Sequence, residues 1–290
     1  MKLHNLRILL TGASGGIGSE LARQLAEQQN SLILLGRDLS ALEKLRRSLP
    51  NPEQHQCLSV DLTDQRQILA LASADELQAG IDILINNAGT SHFAWLEDQS
   101  PHQINAQLSL NLSAPILLTR TLLPLLHRPG KILNIGSSFG GIGYPGYSVY
   151  CAAKFGLHGF SQALARELHG SGIDVCYIAP RATRTDLNSP AVYAMNAELG
   201  NHTDSVESVA AAVINALQDS TRSRWLGWPE KLFVRINALL PRVVDRAIAA
   251  RHAVIARYAR QTLPPILTPT ELQQAAMKHD LKHDLKHKES

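Results

Sequence analysis

Apolar runs of strand length alternate with amphipathic stretches of helix length from Arg7 to Gly227, and this alternation constrains the fold more than any other feature. Strands that are connected through helices lie parallel, with right-handed crossovers. The sequence therefore predicts an α/β fold built on a doubly wound parallel sheet. The predicted strands are 7–10, 31–35, 56–60, 81–85, 131–135, 173–178 and 224–227.

The same patterns predict how the chain is organised. We expect one domain over residues 1–228, a basic amphipathic helical extension over 229–262 and a polar low-complexity tail over 263–290. No internal repeat and no linker interrupts the first of these segments.

Composition excludes several classes of function. The net charge of +3 is too small to indicate a nucleic-acid partner. Three scattered cysteines form neither a disulfide framework nor a metal site, and they fit a reducing compartment. The N-terminus has no signal pattern, and no run approaches the roughly 18 apolar residues that a membrane span needs. We therefore expect a cytoplasmic protein without a metal.

The loop after the first predicted strand, TGASGGIG at residues 11–18, is typical of a phosphate-binding turn. Gly12, Gly16 and Gly18 permit a tight turn, a close approach of the backbone to a pyrophosphate, and close packing of the helix predicted over 17–28. The anion would bind the N–H groups at the start of that helix. Gly15 also allows a wider glycine spacing, so the glycines alone leave the subfamily of dinucleotide site open.

Residues after the second and third strands bear on the choice of cofactor. Arg37 stands where a carboxylate would bind an adenosine ribose and a basic side chain would accommodate a 2′-phosphate. It therefore favours NADP(H) without excluding NAD(H), although it could instead pair with Asp38 or start the next helix. Asp61 and Leu62 follow the third strand, where Asp61 either contacts the adenine or caps the helix that begins near Asp64.

Asparagines mark the next two candidate positions. Asn87, Ala88 and Gly89 form a predicted turn after the fourth strand, with backbone exposed beside a cofactor. Asn111 lies among apolar residues in a long helix predicted over 101–127. A buried amide needs hydrogen-bond partners, so Asn111 is either a structural clamp or part of a polar relay.

The stretch 134–154, NIGSSFGGIGYPGYSVYCAAK, carries the predicted chemistry. Tyr150 and Lys154 lie four positions apart on a predicted helix, so both side chains project from one face. An ammonium ion beside a phenol favours phenolate and lowers the tyrosine pKa, as a general acid/base requires. Ser137 ends the fifth strand, where its hydroxyl could hold a substrate oxygen. The alternative is a Tyr and a Lys on the surface of an ordinary helix.

These motifs together resemble the short-chain dehydrogenase/reductase family, in its compact single-domain branch with a Rossmann-like fold. The resemblance covers roughly residues 6–227 and rests on TGASGGIG, NNAG, Asn111, Ser137 and the Tyr150–Lys154 pair, in family order and spacing. It implies that Tyr150 is the general acid/base and that Lys154 lowers its pKa and holds the nicotinamide ribose. It also implies that Ser137 steadies the substrate oxygen and that Asn111 supports a water-linked proton path.

The resemblance and the residue patterns together predict the cofactor contacts. The predicted contacts are Gly12, Ser14, Gly16, Ile17, Gly18, Arg37, Asp61, Leu62, Asn87, Ala88, Gly89, Tyr150, Lys154, Pro180 and Thr185.

The chain departs from the family pattern after the sixth strand. The family has Pro-Gly and then a threonine that contacts the nicotinamide carboxamide, whereas here Arg181 follows Pro180 and Thr185 keeps the expected interval. Arg181 and Arg184 either bind an anionic group of the substrate or form salt bridges within a lid. We expect the chain up to about residue 203 to form this lid as a loop over the carboxyl ends of the strands.

The extension is both apolar and basic. Over residues 230–262, seven Lys and Arg residues stand against two acidic residues, and apolar residues recur at helical spacing with an interruption at Pro241. Such a helix either caps the domain and the substrate mouth or lies on an anionic membrane. In the tail, His279, His283 and His287 share a helical face, where weak metal binding is the alternative to a frayed polar end.

The predicted function is that of an NADP(H)-preferring oxidoreductase, acting as a homodimer or homotetramer. It would interconvert a carbonyl and an alcohol on a small molecule, with a lipophilic or acyl-chain compound as the expected substrate. The alternative is a non-catalytic NADP sensor or scaffold that acts through its basic helix. Peripheral contact with a membrane is the alternative to a purely cytoplasmic location.

Overall fold

A computed structural model describes residues 2–219 and 222–261 of the chain. Seven strands form one sheet in the order β3-β2-β1-β4-β5-β6-β7, and every neighbouring pair is parallel. The predicted doubly wound parallel sheet is therefore confirmed. The strands are β1 (Arg7–Thr11), β2 (Ser31–Gly36), β3 (Gln56–Ser59), β4 (Ile81–Asn86), β5 (Leu126–Ile135), β6 (Ile173–Ala179) and β7 (Ser223–Trp225).

Helices cover both faces of this sheet. They are α1 (Gly16–Glu27), α2 (Leu39–Ser48), α3 (Gln65–Ala70), α4 (Pro101–Leu108), α5 (Ala114–Leu122), α6 (Ser148–Glu167), α7 (Pro190–Glu198) and α8 (Val206–Gln218). Three more helices form the extension, namely α9 (Glu230–Leu239), α10 (Pro241–Ala249) and α11 (His252–Gln261).

Alternate residues of each central strand supply two separate apolar layers. Ile8 and Leu10 of β1 pack in the layer that includes α1 and α8, whereas Leu9 packs in the opposite layer with α5 and α6. This period of two is what a strand covered by helices on both faces requires. The two layers hold the sheet rigid beneath the loops at its carboxyl edge.

The sheet order creates a cleft between β1 and β4. The chain runs outward from β1 to β3, returns to β4, and then runs outward to β7. Loops at the carboxyl ends of β1 and β4 therefore diverge, which leaves a crevice of the kind where doubly wound sheets bind ligands.

The long helix predicted over 101–127 is only partly correct. A π-helical turn at Ser109–Ser113 separates α4 from α5, and β5 begins at Leu126 rather than at residue 131. The α4–α5 stretch, Pro101–Leu125, has the length and mean hydropathy, 1.2, to cross a membrane. Leu118 and Leu122 are fully buried against the sheet. We therefore assign this stretch to the core of the fold.

The lid and the extension also differ in detail from the prediction. The lid is not a loop throughout, because α7 lies within it with Ser189 as N-cap and Pro190 as its first residue. The extension is three helices rather than one, and α10 starts at Pro241, where the interruption was predicted. The predicted tail over 263–290, with its three histidines, lies outside the described residues.

Candidate active site

A cavity of about 710 Å³ opens at the carboxyl edge of the sheet. Loops after β1 to β6 form its floor, and the lid and the extension form its outer wall. Every residue predicted for the site lines this cavity: Gly12, Ser14, Gly16, Ile17, Gly18, Arg37, Asp61, Leu62, Asn87, Ala88, Gly89, Asn111, Ser137, Tyr150, Lys154, Pro180 and Thr185.

The glycine-rich turn has the geometry of an anion cradle. Gly12 has a φ of 62°, and a Cβ at Gly18 would stand 2.1 Å from the Gly12 carbonyl oxygen, so both positions require glycine. No side chain caps the start of α1. Its N-terminal N–H groups therefore present positive partial charge to the cavity, and a dinucleotide pyrophosphate fits this cradle.

Thr11 fixes the position of the turn after β4. Its Oγ1 accepts hydrogen bonds from the backbone N–H groups of Asn87 and Ala88, both at 2.9 Å. Asn87 Nδ2 in turn donates to the carbonyl oxygens of Thr11 at 2.9 Å and Gly12 at 3.1 Å. Thr11 was missed in the sequence because one hydroxyl at a strand end carries no pattern of its own.

Arg37 and Asp61 lie at the end of the cavity beyond the phosphate turn. Asp38 caps α2 by accepting from the N–H of Ala41, and Arg37 is exposed without an ion pair among the described residues. Asp61 does not cap α3, because Asp64 does so. Hydrogen bonds from Thr63 lower the pKa of Asp61, and the nearby Arg37 acts in the same direction.

Tyr150 and Lys154 face the cavity from α6, and both are buried, at 8% and 4% exposed. The alternative of a surface Tyr and Lys is therefore excluded. Lys154 Nζ lies 5.7 Å from the centre of the Tyr150 ring and donates to the Ile135 carbonyl at 3.1 Å. A Cβ at Gly89 would stand 2.8 Å from Asn111 Oδ1 and 3.8 Å from Lys154 Nζ, so Gly89 leaves room between these two groups.

Asn111 is held at the π-helical turn. Its Nδ2 donates to the carbonyl oxygens of Thr90 at 2.8 Å and Gln107 at 2.9 Å, while its Oδ1 accepts from the Thr90 N–H at 3.2 Å. The π turn and the amide bonds occur together, and π-bulges of this kind are frequent at functional sites. By these hydrogen bonds Asn111 acts as a structural clamp between its helix and the segment that contains Thr90. Its position also borders Lys154.

Burial dominates the protonation of the Tyr–Lys pair. It raises the pKa of Tyr150 to about 12, against an opposing effect of the Ser137 hydroxyl. It also lowers the pKa of Lys154 to about 8. Desolvation disfavours the charged form of both groups, and an effect of Lys154 on the tyrosine pKa stays a prediction.

A buried amide network behind the site escaped the sequence analysis. Asn86 Nδ2 donates to Asn134 Oδ1 at 2.8 Å, and Asn134 Nδ2 donates to Ser161 Oγ at 2.8 Å. These bonds join β4 and β5, whose following loops hold Asn87 and Ser137, to α6, which holds Tyr150. Asn134, a polar residue within an apolar strand, was the available signal.

Arg181 holds the lid to the extension. Its guanidinium pairs with Asp204 at 2.7 Å and with Glu230, the first residue of α9, at 3.3 Å. Arg181 therefore forms salt bridges, as one alternative predicted, but its partners are Asp204 at the end of the lid and Glu230 of the extension rather than residues within the lid. With both of these carboxylates engaged, its charge is compensated within the protein.

Aromatic and aliphatic side chains form the outer part of the cavity. Phe139 stands beside Tyr150, at 6.4 Å between ring centres, and stacks on Tyr144 at 5.0 Å. The lid and the extension complete the wall with Val192, Met195, Phe233, Val244, Ala247 and Ile248.

A phosphate turn and a buried Tyr–Lys pair in the switch-point crevice of a parallel sheet define a dinucleotide-dependent oxidoreductase. Comparison with known proteins supports this class. The family model described as short chain dehydrogenase matches residues 7–196. The chain is 32% identical over 267 residues to dehydrogenase/reductase SDR family member 7B of Bos taurus, covering 86% of this chain and 82% of the relative.

Solved structures share the fold. A short chain dehydrogenase from Burkholderia cenocepacia in complex with NADP has a TM-score of 0.71 at 25% identity, covering 80% of this chain and 100% of that chain. A short chain dehydrogenase/reductase from Burkholderia phymatum in complex with NAD has a TM-score of 0.74 at 19% identity, covering 84% of this chain and 96% of that chain.

The chain belongs to the short-chain dehydrogenase/reductase family. It is accordingly an NAD(P)-dependent oxidoreductase of carbonyl and alcohol groups, acting on small molecules.

Proposed function

We propose that the protein interconverts a carbonyl and an alcohol on a lipophilic substrate, with Tyr150 as the general acid/base and NADP(H) as the preferred cofactor. One observation carries this proposal. Tyr150, Ser137 and Lys154 line the same cavity as an uncapped helix start suited to a pyrophosphate. When bound there, the nicotinamide cofactor supplies or accepts the hydride.

The residues of this chain would position the carbonyl and handle the proton. In reduction, the Tyr150 hydroxyl would donate its proton to the carbonyl oxygen, and its raised pKa keeps that proton in place at neutral pH. Ser137 would donate a hydrogen bond to the same oxygen. Lys154, held at the Ile135 carbonyl, would bind the cofactor ribose and stabilise the phenolate left after transfer. Asn111 would support the path by which that phenolate regains a proton.

Tyr150→Phe tests the proposed acid/base, and Tyr147→Phe is its matched control because Tyr147 is also a buried phenol lining the cavity. We expect Tyr150→Phe to lower kcat by at least about 100-fold, the usual contribution of a general acid. Tyr147→Phe should change kcat much less. Equal effects of the two variants would contradict the role of Tyr150, and NADPH binding by wild type without turnover of any carbonyl would favour the sensor alternative.

Arg37 supports the preference for NADP(H), because it is exposed at the cofactor end of the cavity and makes no ion pair within the described part of the chain. The two structural neighbours are complexes with NADP and with NAD, so they leave the preference open. We expect Arg37→Ala to weaken NADPH binding about tenfold and to leave NADH binding unchanged. Arg47→Ala, an exposed arginine of α2 outside the cavity, is the control. An unchanged NADPH-to-NADH ratio would contradict the proposed role.

The apolar outer wall supports a lipophilic substrate. Side chains from α7, α9 and α10 would enclose an acyl or alkyl chain whose carbonyl lies at Tyr150. A series of 2-ketones of increasing chain length tests this point. We expect KM to fall as the chain grows until the cavity is filled, whereas a KM independent of chain length would contradict the proposal.

An exposed apolar surface on the extension supports peripheral contact with a membrane. Trp228, Leu239, Leu240 and Val243 are 63%, 79%, 61% and 52% exposed, and the extension is basic. Such a surface suits a bilayer that contains anionic lipids. Three free cysteines fit a reducing compartment, so we propose a cytoplasmic protein that contacts the membrane from that side.

Flotation with vesicles of phosphatidylcholine and phosphatidylserine tests the membrane contact. The double variant Leu239→Glu, Leu240→Glu should lose flotation, whereas Leu69→Glu, an equally apolar residue of α3 that is 50% exposed, should retain it. A wild-type protein that does not float, or a double variant that floats as wild type does, would contradict the contact. If the surface instead joins two copies of the chain, the double variant would change the oligomeric state measured by light scattering.

The organisation of the chain completes the proposal. We infer a catalytic domain over residues 1–228 and a capping extension over 229–262, while the predicted tail over 263–290 lies outside the described residues. A homodimer or homotetramer is supported by Phe155, an apolar residue of α6 that is 42% exposed. Light scattering of wild type and Phe155→Glu tests this state, and an unchanged mass would contradict the role of α6.

A further inference from the structure

The outer wall of the cavity contains one polar corner that the proposed chemistry does not use. Arg251 stands between α10 and α11, and its Nη1 donates to Asn201 Oδ1 of the lid at 3.3 Å. Tyr144 borders the same corner: burial raises the pKa of Tyr144, and both the charge of Arg251 and the side chain of Asn201 oppose that rise. All three residues line the cavity.

The charge of Arg251 has no acidic partner among the residues that the structure describes. Two other arginines of the lid and extension are paired, Arg181 with Asp204 and Glu230, and Arg257 with Glu198. Arg251 makes no ion pair with any carboxylate in the described ranges, and its side-chain hydrogen bond goes to a neutral amide. A cation that lines a cavity and lacks a counter-charge is a site where an anion gains charge-assisted hydrogen bonds.

The hydroxyl of Tyr144 is a second polar group at this corner. It is buried and has no hydrogen-bond partner of good geometry in the described part of the chain, although the side chain of Asn201 beside it lowers the pKa of Tyr144. A buried hydroxyl left unpaired is costly, so a ligand that accepts its hydrogen bond would be stabilised. Arg251 supplies charge and Tyr144 supplies an O–H donor at the same corner.

Aromatic rings connect this corner to the reacting end. The Tyr144 ring stacks on Phe139 at 5.0 Å with an angle of 17° between planes, and Phe139 meets Tyr150 edge-on at 6.4 Å. Tyr147 also lies between them, with its ring centre 6.4 Å from that of Tyr144 and 6.0 Å from that of Tyr150, so one layer of rings separates Tyr144 from Tyr150. A ligand that spans this distance must have an apolar body along Phe139 and a polar group at the corner.

We propose that Arg251 and Tyr144 bind an anionic group, a carboxylate or a phosphate ester, of a substrate whose carbonyl lies at Tyr150. The substrate class is then an acyl or alkyl carbonyl compound with an anionic group at a distance from the reacting carbon. Asn201 orients the guanidinium through its hydrogen bond. This inference rests on the proposed function for the position of the carbonyl, whereas the anion site itself can be measured without turnover.

Calorimetric binding of decanoate and decanol to the full chain tests the anion site directly. Arg251→Gln should weaken decanoate binding about fivefold to twentyfold, the range for one partly exposed charge-assisted contact, and leave decanol binding unchanged. The control is Arg242→Gln, which removes the same charge from α10 at an exposed position outside the cavity. Tyr144→Phe should weaken decanoate binding less than Arg251→Gln does. Thermal unfolding of each variant reports whether it folds.

Kinetics then separate this inference from the proposed function. With 7-oxodecanoate and its methyl ester as carbonyl substrates, Arg251→Gln should raise KM for the acid by a similar factor, with kcat and the KM of the ester unchanged. Equal losses for acid and ester, or decanoate binding that is the same in Arg251→Gln and wild type, would overturn the anion site. Turnover of neither compound by wild type would count against the proposed function, while the decanoate result would still decide the anion site.

A carboxylate and a phosphate ester are distinguished by a further pair of probes. Monodecyl phosphate and decanoate should both lose affinity in Arg251→Gln, and the tighter of the two in wild type identifies the preferred group. Inorganic phosphate at the same concentration should not compete with either probe, because it lacks the chain that contacts the apolar wall. Competition by inorganic phosphate alone would mean that the corner binds any anion, which would overturn the assignment to a substrate.

Discussion

The pH dependence of the reaction with NADPH offers a direct test of the protonation state of the buried Lys154. Burial lowers the pKa of Lys154 from 10.5 to about 8, and the proposed role requires the charged ammonium. At pH 7 about 90% of the protein would carry the charge, at pH 8 about half, and at pH 9 about one tenth. Because a base loses its proton as the pH rises through its pKa, the charged form and its activity are lost above about pH 8.

The measurement is kcat/KM for NADPH, which reports the ionisation of the free enzyme. We expect a level profile from about pH 6 to about pH 7 and a fall that approaches tenfold per pH unit above about pH 8. Tyr150 does not contribute to this fall, because burial raises its pKa to about 12 and its proton is retained. Absorbance of NADPH follows the reaction.

Two variants at position 154 refine the test. Lys154→Met should give a low kcat/KM that is independent of pH. Lys154→Arg, if the guanidinium fits, should keep its charge over the whole range and lose the fall near pH 8. A wild-type profile that stays level to about pH 10, or a fall near pH 8 that persists in Lys154→Met, would refute the assignment of this ionisation to Lys154.

Three further predictions concern stability and the cofactor turn. Gly18→Ala should abolish NADPH binding and lower the free energy of unfolding by about 1–3 kcal/mol, because its Cβ would stand 2.1 Å from the Gly12 carbonyl oxygen. Urea titration measures the loss of stability, and the fluorescence of NADPH measures its binding. Arg181→Ala should lower Tm, because Asp204 loses a partner at 2.7 Å and the lid loses its bond to α9, and an unchanged Tm would contradict that connection. Lys154→Met should raise the free energy of unfolding by up to about 3 kcal/mol in urea at pH 7, because no ammonium has to be buried, and the gain should shrink as the pH rises through about 8 toward 10.5.

Features set by local pattern were predictable from the sequence. The parallel sheet follows from apolar runs between helical stretches, and the phosphate turn follows from glycines between a strand and a helix. Tyr150 and Lys154 share a helical face by spacing alone. Each of these inferences needs only neighbours within a few positions along the chain.

Features set by tertiary contacts were not predictable in the same way. Arg181 pairs with Asp204 and Glu230, which follow it by 23 and 49 residues. No local pattern could therefore distinguish these salt bridges from a contact with the substrate. The π turn at Asn111 depends on the carbonyl of Thr90, which lies in another segment. The raised pKa of Tyr150 depends on burial, which spacing along a helix does not report.

The helix within the lid is a different kind of error. The lid was expected to be a loop, whereas Ser189 followed by Pro190 is a common way for a helix to begin. The sequence therefore contained a helix-start pattern in this stretch, and the prediction of a loop overlooked it.

The division of the cavity along the chain has a consequence for how such a protein diversifies. Residues proposed to act on the proton and the cofactor all precede α7, whereas Val192, Met195, Phe233, Val244 and Arg251 follow its start. Substitutions in the later stretch can therefore exchange one substrate for another while the reacting groups stay in place. The final third of the gene is therefore a target for redirecting the enzyme to a new compound, with Phe139 and Tyr144 as the part of the substrate wall that lies outside it.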